Sequence, residues 1–326
     1  MQICTPYLPH ISIMSATISS TTFHFPGQTG FYSGKVRDVY FFGSKMAMVA
    51  TDRISAFDVI LPRAIPQKGA ILNQMAAHFL EATKDIVPNW LEASPDPNVA
   101  FGKVCDPIPI EMVVRGYLVG HAWREYKLGK RILCGEPMPD GLAEFSKFPE
   151  PIITPSTKAQ KGHDEDISRT EILAQQFVTP EIYSKMEEYS LLLFDKGQEM
   201  AMDRGLILAD TKYEFGLLNG EVVLMDEVHT PDSSRYYNWE GFDSKVAEGK
   251  SPEPLSKEFV RGWLMENGFM GKPGQQIPEM TDEFVKQVTD KYLYLFQRIT
   301  GKTMELKFDP DIANRIEKNI FGILNR

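Results

Sequence analysis

Cysteine is scarce in this chain of 326 residues, and its histidines are not paired. The three cysteines, Cys4, Cys105 and Cys134, are odd in number, far apart and never in CxxC spacing. We therefore expect neither a disulfide framework nor a structural zinc site, and the thiols suit a reducing cytoplasm. The six histidines show no HxxxH spacing, which gives a transition-metal site built on them little support.

Long apolar runs and an excess of basic charge are also missing. No stretch approaches the ~18 apolar residues that a membrane span needs. With 35 Lys and Arg against 44 Asp and Glu, the formal charge is −9, which argues against a general nucleic-acid or anionic-membrane partner. Residues 1–22 contain no Lys or Arg, unlike a secretory signal or a transit peptide. We expect a flexible leader there, with Met14 as an alternative start.

A phosphate-binding P-loop is lacking as well. In GFYSGKVRDVYFF only three residues separate Gly30 from Gly34, and neither Ser nor Thr follows Lys35. The β-branched and aromatic residues that come next predict two strands joined at Gly43-Ser44. A phosphate bound here would therefore lie under a hairpin, with Lys35 and Arg37 on one face.

The rest of the chain reads as a mixture of strands and amphipathic helices, and its length suggests about two domains or lobes. Two long helices are predicted at residues 179–203 and 281–300. Residues 134–166 are rich in Pro, Gly and charge, and so long a loop is usually functional or disordered. We divide the chain into a leader at 1–22, a strand-rich nucleotide-covering lobe at 23–113 and a larger lobe at 114–326.

Residues 205–235 carry the charged pattern with the most chemical content. Two β-rich runs flank Leu218-Asn219-Gly220, which predicts a hairpin. Asp210, Lys212 and Glu214 alternate along the first run, so they should project from one face. A solvated sheet edge would produce the same pattern.

The length of the turn decides whether Asp226 joins that face. With a two-residue turn Asp226 would point away, whereas a three-residue turn with a left-handed Gly220 would put it opposite Lys212. We predict the three-residue turn, because it brings Glu214 and Asp226 together. Magnesium is commonly held by one or two carboxylates and substrate phosphates, and Lys212 could stabilise a transferring phosphoryl group. A nucleotide would then lie between this hairpin and the Lys35/Arg37 hairpin.

Seven motifs occur in the order GKVRDVY, TDRISAFD, IPQKGAILNQ, VVRGYLVG, ITPSTKAQKGHDEDIS, LADTKYEFG and LMDEVHTPDSSR, from Gly34 to Arg235. Together they resemble the phosphoribosylaminoimidazole-succinocarboxamide synthase (SAICAR synthetase) family. The resemblance implies an ATP-dependent ligase of purine biosynthesis that joins the carboxylate of carboxyaminoimidazole ribonucleotide (CAIR) to the amine of L-aspartate, releasing ADP and phosphate. It also implies an α/β (α+β) fold of two lobes, whose protein-kinase-like ATP-binding part is built on antiparallel sheet and flanking helices.

The resemblance also implies residue roles. Gly34, Lys35 and Arg37 would lie over the ATP phosphates, with Lys212 reaching the same phosphates from the catalytic centre. Glu214 and Asp226 would bind Mg²⁺ there, and Asp210 and Glu227 would support the centre. The residues assigned to CAIR are Asp52, Ser55, Arg115, His121, Ser233 and Arg235, among which the guanidinium groups suit a phosphate.

His121 departs from the family, which usually has a serine at this position. A histidine could donate to a phosphate, in which case its charge would depend on pH. Equally, it could only pack against its neighbours.

The route implied by the resemblance passes through an acyl phosphate, and residues 152–168 would close over the nucleotide. An exposed charged loop explains that segment equally well. Two other functions stay open: a small-molecule kinase on the same scaffold, and a silent protein that binds ATP without consuming it. We expect no nucleic-acid or membrane partner, a monomer or homodimer, and a cytoplasmic location.

Overall fold

The computed structural model describes residues 16–158, 164–304 and 309–325. Two large antiparallel sheets and two short two-stranded ones, with helices packed against the large sheets, form the described part, which confirms the mixed α and β fold expected from the sequence. Met14, Cys4, His10 and His163 lie outside the described residues. The elements before residue 104 are β1 (Gly30–Ser33), β2 (Arg37–Phe42), β3 (Lys45–Ala50), β4 (Ser55–Ala56), β5 (Val59–Ile60), α1 (Lys68–Ala82), β6 (Leu91–Asp96) and β7 (Val99–Lys103).

The first sheet has the strand order β1-β2-β3-β7-β6, and the short strands β4 and β5 pair separately. Phe42 pairs with Lys45 across Gly43-Ser44, so the predicted opening hairpin is confirmed. Helix α1 packs against this sheet and buries one apolar side, which includes Ile71, Met75 and Phe79. This spacing of four residues puts those side chains on one helix face.

The second sheet forms the centre of the larger part of the chain. Its strand order is β11-β8-β13-β14, with β12 also paired to β8 and β15 to β13. The elements from residue 106 onward are β8 (Asp106–Tyr117), α2 (Gly120–Lys127), β9 (Ile132–Leu133), β10 (Glu136–Pro137), β11 (Lys147–Ile153), β12 (Ser156–Thr157), α3 (Arg169–Ala174), α4 (Pro180–Met202), β13 (Leu206–Leu218), β14 (Glu221–Met225), β15 (Ser234–Asn238), α5 (Phe242–Ala247), α6 (Glu258–Glu266), α7 (Asp282–Thr300) and α8 (Ile312–Leu324).

The two long helices form where the sequence predicts them. Thr179 caps α4, and Pro180 occupies its first turn, where a missing N–H costs nothing. Thr281 caps α7, which ends at a left-handed Gly301 with φ of 69°. Both helices bury an apolar stripe, so they supply core.

Residues 134–166 are more ordered than their composition suggests. The described part of this segment contains β10, β11 and β12, and β11 pairs with β8 despite Pro149 and Pro151. The register shifts within this pairing, and prolines are tolerated in edge strands and at such irregularities. The prediction of one long loop is therefore wrong. The lobe boundary at 113/114 falls inside β8, and the division into lobes stays a prediction.

Part of the predicted leader belongs to the fold. Ile18 is buried and donates its backbone N–H to Asp52 at 3.0 Å, and Thr21 donates to Asp38 from both its N–H and its hydroxyl. Residues 16–22 are thus held against the first sheet by buried carboxylates, which overturns a flexible leader for this stretch. No helix in the described ranges is long and apolar enough to cross a membrane.

The two sheets are joined next to β14. Trp90 donates its backbone N–H to the Leu224 carbonyl at 3.2 Å, and its ring is buried with Val223 in a shared apolar cluster. The indole N–H also donates to the carbonyl of Asp226 at 2.9 Å. Trp90 therefore fixes the end of β14 from a position 136 residues away in sequence.

Candidate active site

One face of strands β8 and β13 carries four of the charged residues singled out in the sequence, Arg115, Asp210, Lys212 and Glu214. The register pairs Glu111 with Glu214, and Arg115 with Asp210. Because side chains alternate along a strand, Asp210, Lys212 and Glu214 project from the same side. At ~3.4 Å per residue, the Asp210 and Glu214 positions are roughly 14 Å apart, so this face has two chemically different ends.

Two carboxylates hold the ammonium group of Lys212 at one end of the face. Its Nζ donates to Glu111 at 2.5 Å and to Glu214 at 3.3 Å. Both carboxylates raise the pKa of Lys212 although burial opposes them, so this lysine stays charged. Glu111 was not singled out in the sequence, where a lone Glu in a strand gives no signal.

Asp226 reaches this end of the face by a route other than the one predicted. Leu218 pairs with Glu221, so the turn is the two-residue Asn219-Gly220, with φ of 54° and 85° at its two residues. This is the mirror-image turn that Asn-Gly favours, and the three-residue turn is wrong. Strand β14 ends at Met225, and Asp226 has a left-handed backbone with φ of 55°. Because of that conformation, the Asp226 side chain does not follow the alternation of side chains along β14.

Asp226 has both acidic and basic electrostatic neighbours. They include Glu214, Glu227, Arg37 and Lys158. Burial raises the pKa of Asp226 to about 6, with Arg37 opposing the shift and the two glutamates adding to it. Such crowding of carboxylates is relieved by a cation, and Mg²⁺ typically takes one or two carboxylates together with substrate phosphates.

The donor set fits Mg²⁺ better than a metal bound by protein alone. Within the ranges that the structure describes, no group of three or more His, Cys, Asp or Glu has the geometry of a metal site. Glu214 and Asp226 carry hard oxygen donors, the type that Mg²⁺ takes together with phosphate oxygens and water. Although burial acts in the other direction, Lys212 and Lys158 lower the pKa of Glu214 to about 2, so this carboxylate is ionised at neutral pH.

Lys158, the residue after β12, also contacts this group of carboxylates. Its Nζ forms an ion pair with Glu214. The sequence placed Lys158 in the segment expected to cover the nucleotide, and residues 159–163 of that segment, which include Lys161 and His163, lie outside the described residues.

Lys35 and Arg37 do not act as one face. Lys35 lies in the bend between β1 and β2, where strand alternation does not apply, and forms an exposed ion pair with Asp58. Arg37 lies in β2, and its guanidinium binds Asp226 at 2.8 Å and Glu227 at 2.6 Å. Arg37 therefore joins the first sheet to the carboxylate centre, while Lys35, next to Gly34, stays at the tip of the hairpin.

The other end of the face is built from two arginines on one buried aspartate. Arg115 binds Asp210 at 3.2 Å and Thr154 at 2.7 Å, and Arg235 binds the same oxygen of Asp210. Arg235 also lies 3.1 Å from Glu258, and its buried Nε has no hydrogen-bond partner within the described chain. Two forks of donors facing so few acceptors suit a phosphate.

Gly120 makes room for this arrangement. It has φ of 57°, and a Cβ at this position would lie 2.3 Å from Nη2 of Arg235. His121 follows, and its Nε2 is 2.7 Å from Asp166, with both side chains about one-third exposed. His121 is thus the second residue of α2, beside the arginines, and has a carboxylate partner of its own.

The remaining residues assigned to CAIR are buried. Asp52 accepts N–H groups from Ile18 and Gly69, and burial raises its pKa to about 6. Ser55 is buried in β4. Ser233 is buried too, and its hydroxyl accepts the N–H of Thr230 at 3.1 Å.

A third charged group lies beside the loop from Glu227 to Arg235, and sequence reasoning missed it. Asp232 is bound by Lys68 at 2.8 Å and by the Tyr292 hydroxyl at 2.7 Å, and Lys257 lies 3.6 Å away. Its members come from α1, α7, the loop and the residue before α6, so no local pattern connects them.

Known proteins resemble this chain along most of its length. The family model for SAICAR synthetase matches residues 30–276. The chain is 57% identical to the phosphoribosylaminoimidazole-succinocarboxamide synthase of Bacteroides thetaiotaomicron over 311 residues, which cover 95% of this chain and 99% of that protein. It is 43% identical to the enzyme of that name from Legionella pneumophila (strain Paris) over 295 residues, which cover 89% of this chain and 94% of that protein.

Solved structures agree with this likeness. SAICAR synthase from Saccharomyces cerevisiae, complexed with SAICAR, has a TM-score of 0.74 and 32% identity, and the match covers 89% of this chain and all of that one. A type-2 SAICAR synthetase in complex with ADP has a TM-score of 0.66 at 22% identity, with 85% of this chain and all of that one covered, and shares the fold.

Proposed function

Because the chain belongs to the SAICAR synthetase family, we propose that the two ends of its charged face are two parts of one ligase site. The protein is an ATP-dependent ligase of purine biosynthesis, which joins CAIR to L-aspartate and forms SAICAR, ADP and phosphate. The observation that carries the residue assignment is the pairing of β8 with β13. It sets the Glu111/Lys212/Glu214 group and the Arg115/Asp210/Arg235 group on one face, at a separation that an extended mononucleotide can span.

The end of the face that carries Glu111, Lys212 and Glu214 is called the carboxylate end. In this proposal it binds the ATP phosphates and Mg²⁺. Glu214 and Asp226 would hold the metal ion, which supplies positive charge to phosphate oxygens. Lys212 lies beside them and stabilises the γ-phosphoryl group as it is transferred. Glu111 keeps Lys212 in place once Glu214 turns to the metal, because it is the second carboxylate that Lys212 contacts. Arg37 and the hairpin tip at Gly34 and Lys35 cover the phosphates from the first sheet.

The end of the face that carries Arg115, Asp210 and Arg235 is called the arginine end. It binds the 5′-phosphate of CAIR. Arg115 and Arg235 offer guanidinium donors, and His121 stands beside them where a proton on its ring can be shared with a phosphate oxygen. Asp52, Ser55 and Ser233 belong to the CAIR side in this proposal, where Asp52 and Ser233 hold the neighbouring backbone. The carboxylate of CAIR then faces the γ-phosphate at the Lys212 end.

The chemistry proceeds in two displacements. A carboxylate oxygen of CAIR attacks the γ-phosphorus, the bond to ADP breaks, and an acyl phosphate forms. The amine of L-aspartate then attacks the acyl carbon, phosphate leaves, and the nitrogen loses a proton to form the amide. Holding three substrates together accounts for ~7–11 kcal/mol of the barrier in well-oriented reactions. Lys212 remains protonated throughout, which suits a role in charge stabilisation.

An omission experiment tests the function. Purified protein is supplied with Mg²⁺, ATP, CAIR and L-aspartate, one component is left out at a time, and ADP and the succinocarboxamide product are measured. We expect both products only in the complete mixture. ADP formed without L-aspartate would favour a kinase activity, and ATP binding without turnover would favour a silent nucleotide-binding protein.

The cellular setting is proposed on chemical grounds. Cys105 and Cys134, the cysteines within the described ranges, are both free, which suits the reducing cytoplasm. The state of assembly, monomer or homodimer, stays a prediction, and size-exclusion chromatography with light scattering decides it.

A further inference from the structure

A histidine and an aspartate form a pair beside the arginine end. Nε2 of His121 lies 2.7 Å from a carboxylate oxygen of Asp166, and each side chain is about one-third exposed. His121 belongs to α2, whereas Asp166 lies just before α3. Since the two residues are 45 positions apart in sequence, the pair fixes the ring of His121 relative to a second part of the fold.

The backbone around Asp166 is held against the sheet that carries the charged face. Asp166 forms an isolated antiparallel bridge with Ser156 of β12, and the N–H of the next residue, Ile167, donates to the Pro155 carbonyl at 3.1 Å. Strand β12 pairs with β8, the strand on which Arg115 lies. Strand pairing therefore sets the position of the Asp166 carboxylate relative to Arg115.

The start of α2 sets the position of His121. Gly120 brings the chain so close to Arg235 that a Cβ there would lie 2.3 Å from Nη2. The helix has no side-chain cap, because Val119 precedes it, and uncapped N–H groups at a helix N-terminus favour an anion. Arg235 adds a buried Nε without a hydrogen-bond partner in the described chain. An anion bound by these groups would lie next to the ring of His121.

Asp166 determines which ring nitrogen of His121 a ligand can meet. In a protonated histidine both ring nitrogens donate, so Asp166 takes Nε2–H and leaves Nδ1–H. No hydrogen bond to Nδ1 is present within the described ranges. The hydrogen bond from His121 lowers the pKa of Asp166 although burial opposes it, and the charges of Arg115 and Lys130 act in the same direction as His121. A neutral ring donating from Nε2 would instead present a lone pair at Nδ1, which repels a phosphate oxygen.

We propose that Asp166 is a positioning residue for the phosphate of CAIR, because it turns the ring of His121 so that Nδ1–H donates to a phosphate oxygen. The inference rests on the proposed function, in which the arginine end binds that phosphate. The anionic carboxylate also favours the protonated ring, which is the form that donates from both nitrogens. Asp166 itself does not touch the phosphate, since it binds the opposite nitrogen of the ring. Its effect on CAIR therefore passes through His121.

Single and double variants test this arrangement. His121→Ala removes the donor and should raise the KM for CAIR by about tenfold, as for the loss of one hydrogen bond to a charged group. Asp166→Asn keeps the shape of the side chain without its charge, and should raise the same KM by about three- to tenfold. The double variant should be no worse than His121→Ala, because Asp166 acts through the ring. The KM values for ATP and L-aspartate should stay unchanged.

Ribose 5-phosphate gives a readout confined to the arginine end. It carries the phosphate and the sugar of CAIR without the imidazole ring, so its inhibition constant against CAIR reports binding of this part alone. We expect the constant to rise together with the KM for CAIR in His121→Ala and in Asp166→Asn. Asp166→Glu, which restores a carboxylate, should recover part of the loss. Glu150→Gln, at an exposed glutamate of β11, is the matched control and should leave every constant at its wild-type value.

Three results would overturn the inference. One is an unchanged or lower KM for CAIR in Asp166→Asn, which would mean that the carboxylate repels the phosphate more than it helps the ring. Another is a double variant in which the two losses add, since Asp166 would then act without His121. The third is an equal rise of all three KM values, which would assign Asp166 a purely structural role.

Both side chains are partly exposed, so the variants should fold. If Asp166→Asn melts below the assay temperature, Asp166→Ser is judged by the same constants. The proposed function fails separately, if the wild-type enzyme forms no succinocarboxamide from the complete mixture.

Discussion

At the scale of single residues, the arginine end depends on the absence of one side chain. Gly120 has φ of 57°, and a Cβ there would lie 2.3 Å from Arg235. Gly120→Ala should therefore displace the Arg235 guanidinium and raise the KM for CAIR, besides costing ~1 kcal/mol of stability for a left-handed alanine. Steady-state kinetics and urea denaturation measure the two effects.

Gly241 provides the matched control. Its φ of 74° imposes similar backbone strain, and a Cβ there would meet nothing within 4 Å. Gly241→Ala should lose comparable stability and keep the wild-type KM for CAIR. If the two variants change this KM equally, Arg235 does not bind CAIR in the way proposed.

Acid should destabilise the protein through another single residue, His229. Its ring is fully buried, Nε2 lies 2.6 Å from the Tyr213 hydroxyl, and burial lowers its pKa to about 3. An unfolded chain binds this proton near pH ~6.5. The free energy of unfolding therefore decreases as the pH falls below that value, by at most ~1.4 kcal/mol per pH unit until the folded pKa is reached.

His229→Gln isolates this contribution, since it removes the titration and keeps a polar partner for Tyr213. Urea denaturation at about pH 7.5 and about pH 5.5 should show a smaller loss in the variant than in the wild type. Equal losses would mean that His229 does not titrate as its burial indicates.

At the scale of elements, strand alternation predicts the charged face of β13 because alternation is a local property of the backbone. The predicted length of the turn after β13 was wrong for a local reason too, since the sequence Leu218-Asn219-Gly220 is compatible with both a two-residue and a three-residue turn. Asp226 still lies among the charged groups near Glu214, because its own backbone is left-handed and its carbonyl accepts the indole N–H of Trp90. A contact between residues so distant in sequence leaves no local pattern to detect. The same holds for β11, whose prolines suggest a loop until its partner β8 is known.

The C-terminal helix α8 should stabilise the first sheet through a single arginine. Arg315 binds both oxygens of Asp96, at 2.9 and 3.2 Å, and the Asp96 side chain is fully buried in β6. Arg315→Met leaves that carboxylate with fewer donors, although Asn319 still donates to it. We expect a loss of about 1–3 kcal/mol, less than for a fully buried pair because Arg315 is one-third exposed.

Urea denaturation measures that loss, and Lys318→Met, on an exposed lysine of the same helix, should change stability little. The KM values of both variants should match the wild type, because α8 contributes nothing to the proposed site. A loss no larger than that of Lys318→Met would show that the Arg315–Asp96 pair is not what holds α8.

At the scale of the whole molecule, the order of seven motifs predicts the family and the reaction, because such an order is specific even where each motif is weak. The motifs also contain charged residues that lie at both ends of the face. Glu111, Lys68 and Lys257 remained hidden, since each is an ordinary lysine or glutamate in sequence. Only the pairing of β8 with β13, and the packing of α1, α6 and α7 around one loop, reveal what they contact.

Binding of a nucleotide should stabilise the two sheets together. Arg37 of the first sheet binds Asp226 and Glu227, so a ligand held between Arg37 and Lys212 contacts both sheets. ATP with Mg²⁺ at 100 times its Kd should add ~2.7 kcal/mol to the free energy of unfolding. ATP with a chelator should add less, because phosphates and the carboxylates of Glu214 and Asp226 then repel each other without an intervening cation. Thermal denaturation with ATP, in the presence and absence of Mg²⁺, measures the difference.

Glu214→Gln should abolish the part of this stabilisation that depends on Mg²⁺, since it removes one proposed ligand. Glu221→Gln changes an exposed glutamate at the turn of the same hairpin and should keep it. Because both variants lose one negative charge, a general change in the protein's field affects them alike, and only direct binding of the metal separates them. If Glu214→Gln keeps the full Mg²⁺-dependent rise in melting temperature, the metal binds elsewhere, and the crowding of carboxylates around Asp226 must be balanced by Arg37 and Lys158 alone.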